Sequence, residues 1–294
     1  MAILASPDPP PLAAGTRLTV TTVGRLLEPA FALDQNPLRD VVLDLRAVQF
    51  VTPYALAALA TQIEAAHDRG RMVRLLCPAR HETLLYLAVS GFFSQVRSRA
   101  DVVGPTAYVE RGPTTAKTVL PLTRIENNDD VDRALGDVRA LLRQLARDGD
   151  WFKRFRNLVV ELCGNIFRHA EVQVGYVVAQ RYASREGPFI ELAIGDAGQG
   201  VIGSLARVHP RLLHLDPAVA LRTAVRDRLS SRPDDHGGNG FHGLHKVATE
   251  RQGRFVLRSG GARVSASRGA TALYGTTRAR CLQGTQVMVT VDCD

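Results

Sequence analysis

A glutamate and an asparagine one helical turn apart, Glu161 and Asn165, are the residues of this 294-residue chain whose types and spacing most plainly suit chemistry. They lie in the segment 158–169, LVVELCGNIFRH. At about 100° per residue, Val159, Val160, Leu162, Cys163, Ile166 and Phe167 fill one arc of a helix. Glu161, Asn165, Arg168 and His169 gather on the opposite arc, with Leu158 the one misfit. Taken alone, the pattern reads first as a solvated polar face. A ligand-facing edge fits it too: a carboxylate orients or deprotonates a nucleophile, and an amide oxygen suits a Mg²⁺ ion that keeps most of its waters.

Three further pieces carry functional groups. In FIELAIGDAGQGV, residues 189–201, an apolar strand delivers Asp196 into a turn made permissive by Gly198 and Gly200. A carboxylate at a strand end can accept a hydrogen bond from the exocyclic amine of a base, although a bare DxGxG is also an ordinary turn. In GGNGFHGL, residues 237–244, glycines precede the helical segment HKVATER; free N–H groups and a helix dipole there would face an anion. The polar stretch 230–236, SSRPDDH, suits a lid between these two pieces. Finally, Gly284 and Thr285 open the alternating strand QGTQVMVTV near the chain end, and the threonine hydroxyl could reach a base.

The elements that must position these groups form two halves. In the first, a strand at 41–45 is followed by a loop at Phe50–Pro53 and a helix with Leu56, Leu59, Ile63 and Ala66 or His67 on one face. A strand at 72–76 and a helix at 82–89, stopped at Gly91, come next. Strands alternating with helices predict a small α/β domain with parallel pairing. This order, with AVQFVTPYALAALA and SGFFSQV, resembles the STAS family of anti-sigma-factor antagonists over residues 17–100. Phospho-switching members carry a hydroxyl residue in the turn before the long helix. Here Pro53 stands at that place and Thr52 beside it, so the resemblance implies a docking surface that no longer takes phosphate.

Residues 101–116, with Gly104, Pro105, Gly112 and Pro113, read as the linker. A strand at 118–122 then opens the second half, and Asn128 or Asp129 caps a helix through Leu135, Val138, Leu142 and Leu145.

The order ExxxN on a helix, DxGxG after a strand, a glycine turn before a helix, then GT before a final strand resembles the four boxes of the GHKL ATPases over residues 117–294. The implied fold is α/β: a short tail (1–16), an N-terminal STAS-like domain (17–100), the linker (101–116) and a Bergerat-type ATP-binding sandwich. The implied cofactors are ATP and Mg²⁺. By that resemblance Asn165 binds Mg²⁺, Asp196 recognises adenine, and Gly198 and Gly200 shape the base pocket. Gly238, Gly240 and Gly243 line the phosphates, Thr285 assists at the adenine, and Glu161 is the general base. The third box departs from the usual GxGxGL by one extra residue between Gly240 and Gly243.

With no transducer domain after the fourth box and no phosphoacceptor hairpin before the first, the anti-sigma-factor serine kinases are the nearest match. His81, which precedes an acid, sits inside the STAS-like pattern without a partner helix. The expected function is a cytoplasmic signalling ATPase or protein serine/threonine kinase, with a sigma factor or a STAS-type antagonist as partner and a homodimer as the family's common form. A non-catalytic ATP-gated switch that docks through the STAS-like surface is the alternative.

Composition agrees with a globular protein: 45% hydrophobic and 22% charged residues, and no apolar run long enough for a membrane span. Cys77, Cys163, Cys281 and Cys293 form no CxxC pair, so neither a zinc site nor a disulfide framework is expected, and the trio His236, His242 and His245 has no acid or cysteine in ligand spacing. The net charge of +8 is scattered singly beyond residue 110, which argues against a nucleic-acid stripe.

Overall fold

The computed structural model describes residues 15–31, 40–106, 118–145, 150–169, 174–231, 239–278 and 281–293. Alternating apolar and outward-facing residues build its first strands. In β2 (Val41–Asp44) and β4 (Val73–Leu76), Val41, Leu43, Val73 and Leu75 are buried while Val42 and Arg74 point out. With β5 (Asp101–Val103) they make a parallel sheet in the order β2-β4-β5. That third strand occupies the first residues of the stretch read as a linker, whose glycines and prolines begin only at Gly104. Residues 107–117 of it lie outside the described residues.

A separate short pair joins β1 (Thr16–Leu18) in parallel to β3 (Val48–Val51). The expected loop at Phe50–Pro53 is therefore a strand end followed by a helix cap. Thr52 caps α2 (Pro53–Asp68), its hydroxyl oxygen accepting from the Ala55 N–H at 3.4 Å. Pro53 takes the first helical position, where a missing N–H leaves nothing unpaired. The first half also contains α1 (Val23–Phe31), α3 (His81–Val89) and α4 (Phe92–Val96). Gly91, at φ +78°, makes the turn between the last two.

The second half is built on a seven-stranded antiparallel sheet in the order β11-β10-β9-β12-β8-β7-β6. Its strands are β6 (Thr118–Ile125), β7 (Gly175–Ser184), β8 (Gly187–Asp196), β9 (Phe255–Ser259), β10 (Ala262–Ala266), β11 (Tyr274–Thr277) and β12 (Thr285–Asp292). One face carries α5 (Asn128–Leu145), α6 (Asp150–His169), α8 (Pro217–Arg226) and α9 (Asn239–Glu250), with the short α7 (Gly200–Ala206) following β8. Asn127, one residue earlier than expected, caps α5 by accepting from the Asp130 N–H at 3.0 Å.

Strand alternation sorts the core into two layers. Val177, Leu192, Ile194, Val287 and Val289 face the helices. Tyr176, Val178, Ala193, Met288 and Val256 face the other way, onto the first half. The element that meets them is α2, and every residue from Pro53 to Ala66 is buried. The single apolar face expected for this helix is thus a helix with no solvated side over its first 14 residues. Gly195 marks the close approach: a Cβ there would stand 2.7 Å from Thr61 Oγ1.

Polar contacts fix this seam. Glu64 accepts from Tyr176 Oη at 2.5 Å and from Arg124 Nη2 at 2.9 Å, and Arg99 completes the ion cluster. Gln62 donates to the Gln283 carbonyl at 2.9 Å, and Tyr86 Oη donates to Gln180 Oε1 at 2.6 Å. Among the described residues no helix is long and apolar enough to cross a membrane.

Glu191 lies in the same seam, accepting from the Tyr54 N–H at 3.0 Å and from the Thr52 hydroxyl. Burial pushes its carboxyl up to about 7, against those bonds. An acid whose pKa rises on folding contributes stability in its protonated form. That contribution is full below the unfolded value and is lost as pH rises through about 7. In urea unfolding, the wild type should lose about 2 kcal/mol more than Glu191→Gln between about pH 5 and about pH 8. Parallel pH curves for the two proteins would contradict this account.

Candidate functional site

The site is built at one end of the large sheet. Asp196 is the last residue of β8, in register with Gly175 on β7 and Thr285 on β12. It shares strand parity with Leu192 and Ile194, as Thr285 does with Val287 and Val289, so both lie on the helical face. The Asp196 side chain is 8% exposed. Burial pushes its carboxyl up to about 6, opposed by hydrogen bonds from the Gly198 N–H at 2.9 Å and from the Thr285 backbone and hydroxyl. At neutral pH such a group is mostly ionised, a buried acceptor already oriented by three donors.

Glycines make this packing possible at two points. Gly284 has φ +82°, and a Cβ there would fall 1.8 Å from the Asp196 carbonyl oxygen. Gly200 has φ +78°, and its Cβ would meet Ser259 Oγ at 2.6 Å. That serine hydroxyl also accepts from the Val201 N–H at 2.8 Å, fixing the first turn of α7. Ser259 was not anticipated from sequence; its signal is a hydroxyl residue at the end of an apolar strand, directly before the Gly260–Gly261 turn.

Helix α6 lies above this end. Ile166 packs so closely on the start of β7 that a Cβ on Gly175 would meet its Cδ1 at 2.3 Å. Gly175 is the register partner of Asp196, so the turn of α6 that carries Asn165 lies over the strand end that carries the acid. Both Glu161 and Asn165 are half-buried. The structure therefore brings Glu161, Asn165, Asp196, Gly198, Gly200 and Thr285 to one end and one face of the sheet.

The glycine segment differs from expectation. Helix α9 begins at Asn239, so Gly240 and Gly243 lie inside it rather than in a turn before it. A Cβ on Gly240 would meet Leu162 Cδ2 at 3.2 Å and Glu161 Oε1 at 3.3 Å; one on Gly243 would meet Leu158 Cδ2 at 2.4 Å. These glycines let α9 press against α6, and they bring the Glu161 carboxylate to the first turn of α9. Gly238 and His236 lie outside the described residues.

Between β8 and the stretch read as a lid lie α7, a 3₁₀ turn at Pro210–His214 and α8, and Ser230 and Ser231 of that stretch are described. The rest of it, up to α9, lies outside the described residues. Cys77 and Cys163 are buried, with thiols pushed up by burial to about 11 and about 12 respectively. No group of three or more His, Cys, Asp or Glu side chains able to hold a metal ion is found among the described residues. Thr52 is 7% exposed and bonded at both the α2 cap and Glu191, so its hydroxyl is not presented to a kinase.

Comparison of the chain with protein-family models, curated proteins and solved structures returns no match.

Close packing of Gly284 on Asp196 yields a steric prediction. Gly284→Ala should cost more than about 3 kcal/mol in urea unfolding, because both the left-handed backbone and the contact oppose a Cβ. Gly260→Ala, at φ +55° with open space around it, should cost about 1 kcal/mol. Equal costs would mean that backbone conformation alone matters there.

Proposed function

We propose that the chain is an ATP-binding signalling regulator of the GHKL type with a STAS-like domain on the back of its sheet, acting as a Mg²⁺-dependent ATPase or protein serine/threonine kinase. What supports this most is the buried Asp196 carboxylate, held by Gly198 and Thr285 at the strand end beneath the Asn165 turn of α6. Three sequence pieces spread over more than 100 residues, 161–165, 196–200 and 285, meet at one end and on one face of one sheet. The chemistry suits a purine nucleotide. Asp196 accepts from an exocyclic amine with Thr285 beside it, the Asn165 amide oxygen suits a magnesium ion, and Glu161 can take the proton of an attacking hydroxyl or water. Bound Mg²⁺·ATP would supply the phosphoryl group for hydrolysis or transfer. Gly240 lies in the first turn of α9, so its N–H is among those free to meet an anion, while Gly243 lets α9 press against α6. A sigma factor or a STAS-type antagonist remains the partner class in this reading, with a homodimer and the cytoplasm as its expected setting.

Calorimetric titration with ADP, and with a non-hydrolysable ATP analogue with and without Mg²⁺, tests the reading. Asp196→Asn should weaken ADP binding by about 30-fold or more, since it removes the charge and replaces one of the two acceptor oxygens by a donor. Asn165→Ala should abolish the gain from Mg²⁺. Undiminished ADP binding by Asp196→Asn would remove the proposal's basis. Radiolabelled γ-phosphate found on a partner protein marks a kinase; label released as free phosphate marks an ATPase, and Glu161→Gln should stop either.

One observation favours the second reading, a non-catalytic ATP-gated switch. Helix α2, the docking element that the STAS resemblance implies, is already seated on the chain's own sheet, and Thr52 lies in that seam on the sheet face opposite α6. A switch of this kind would have to loosen α2. Hydrogen exchange of the Ala57–Ile63 amides should then rise at least tenfold with nucleotide in Glu161→Gln as in wild type; protection unchanged by nucleotide counts against the switch.

A further inference from the structure

We propose that the cleft between α8 and α9 is a second ligand site, built for a small organic anion with a phosphate or carboxylate head and an apolar body. The cleft encloses about 580 Å³, within the range of small-molecule sites. Its walls are the facing sides of two helices. Arg222 and Arg226 come from successive turns of α8, and His242, His245, Lys246 and Thr249 come from α9. Ala272 and Leu273 close the third side with apolar surface.

The charges do not cancel inside the cleft. Glu250, the one acid among its described lining residues, is drawn to Arg154 at 3.2 Å and to Lys246 at 4.0 Å, and Arg226 pairs with Asp227 at 2.7 Å. His242 Nε2 accepts from Arg228 Nη2 at 3.2 Å, which keeps that imidazole neutral. Arg222, and Lys246 whose contact with Glu250 is the longer of that acid's two, are the cations best placed to hold an anionic head.

The independent sign of a ligand is His245. It is 8% exposed, lines the cleft, and its Nε2 has no hydrogen-bond partner among the described residues. A buried ring nitrogen left unpaired carries a desolvation cost that a bound polar group would remove. Its other face is held in place, against the Phe255 ring at 5.6 Å and the Ala270 backbone. With the other ring nitrogen donating to the Ala270 carbonyl, an anionic oxygen in the cleft would draw a proton onto Nε2, against the burial that holds the ring neutral, and accept from it while Arg222 and Lys246 neutralise its charge.

This cleft is separate from the Asp196 site. Tyr274 is in register with Ser265, Ser265 with Val256, Val256 with Met288, and Met288 with Ala193. Residues 271–273 precede Tyr274, so the cleft opens toward the opposite end of the sheet from Asp196 and Thr285. The proposal does not depend on the chain binding nucleotide.

The test titrates the full chain with phenyl phosphate, benzoate and phenol, by calorimetry and by NMR of ¹⁵N-labelled histidine. Phenyl phosphate or benzoate should bind at least about tenfold more tightly than phenol, the tighter of the two identifying the head group. The His245 Nε2 resonance should move on binding, and saturating ADP should not compete. Arg222→Gln with Lys246→Gln should weaken the anion about tenfold or more at an unchanged unfolding midpoint, and His245→Gln should weaken it with both cations in place. No anion binding below about 10 mM, phenol binding as tightly, displacement by ADP, or full affinity in the double variant would each overturn the proposal.

Discussion

Everything in this structure depends on the burial of α2 on two sides at once. Six of its first 14 helical residues are alanine, and Leu56, Leu59 and Ile63 are fully buried. Each of those three contributes about 1.5–3 kcal/mol when removed from water. A helix of this composition cannot be covered by the three-stranded sheet alone. Its second side needs another apolar surface, and the back of the seven-stranded sheet supplies it through Tyr176, Val178, Ala193 and Met288. The polar groups of the seam gather into clusters: Glu64 with Arg99, Arg124 and Tyr176, Glu191 with Thr52 and Tyr54, and Glu28 with Arg258 and Arg278. Strands β2 and β4 pair in parallel with β3 and α2 in the connection between them, and that connection leaves α2 facing the larger sheet.

The candidate site sits where that sheet can least tolerate change. At the end of β8 the neighbouring strand begins in a glycine turn so close that no side chain fits between Gly284 and the Asp196 carbonyl. The same compactness buries the carboxyl and orients it, since the Thr285 hydroxyl and the Gly198 N–H are held at fixed positions by the backbone. Preorganised acceptors of this kind recognise a donor without a reorganisation cost. Asp196 would be an awkward residue to carry in a core for structural reasons alone, because a neutral side chain of the same size would avoid the desolvation penalty.

What could be read from the sequence follows from where local signals were complete. The apolar run of β8 ends at Asp196, the first residue of DAGQG, and α6 divides into apolar and polar arcs with only Leu158, which packs on the core, and the exposed Val160 out of place, so both elements were legible. Strand β3 was not, because VQFV is four residues long and its partner β1 lies next to the Pro-rich start of the chain. The start of α9 was misread as a turn because each interior glycine costs a helix roughly 1 kcal/mol. Packing of Gly240 and Gly243 against Leu162 and Leu158 offsets that cost, and no local signal reports it. The two-sided burial of α2 left a trace that was passed over: an alanine-rich stretch with no polar arc from Pro53 to Ala60. The β10–β11 hairpin, and with it the α8–α9 cleft, depends on pairing at a sheet edge that no residue type announces.

Strand β8 ties the two halves together residue by residue. Glu191, Ala193 and Gly195 face α2, while Leu192, Ile194 and Asp196 face the helices, so adjacent residues of one strand belong to different layers. Gly195 touches Thr61 of α2, and the next residue is the buried acid. A second link runs beside it, since Gln62 of α2 donates to the Gln283 carbonyl immediately before the Gly284–Thr285 turn. Close-packed contacts are stiff, so a ligand that shifts the Asp196–Thr285 pair by a fraction of an ångström must also disturb Thr61 and Gln62. In the nucleotide-binding reading proposed above, a ligand at Asp196 and a partner that draws α2 away would alter one another's affinity by the same factor. The two faces of the molecule are therefore one residue apart along β8.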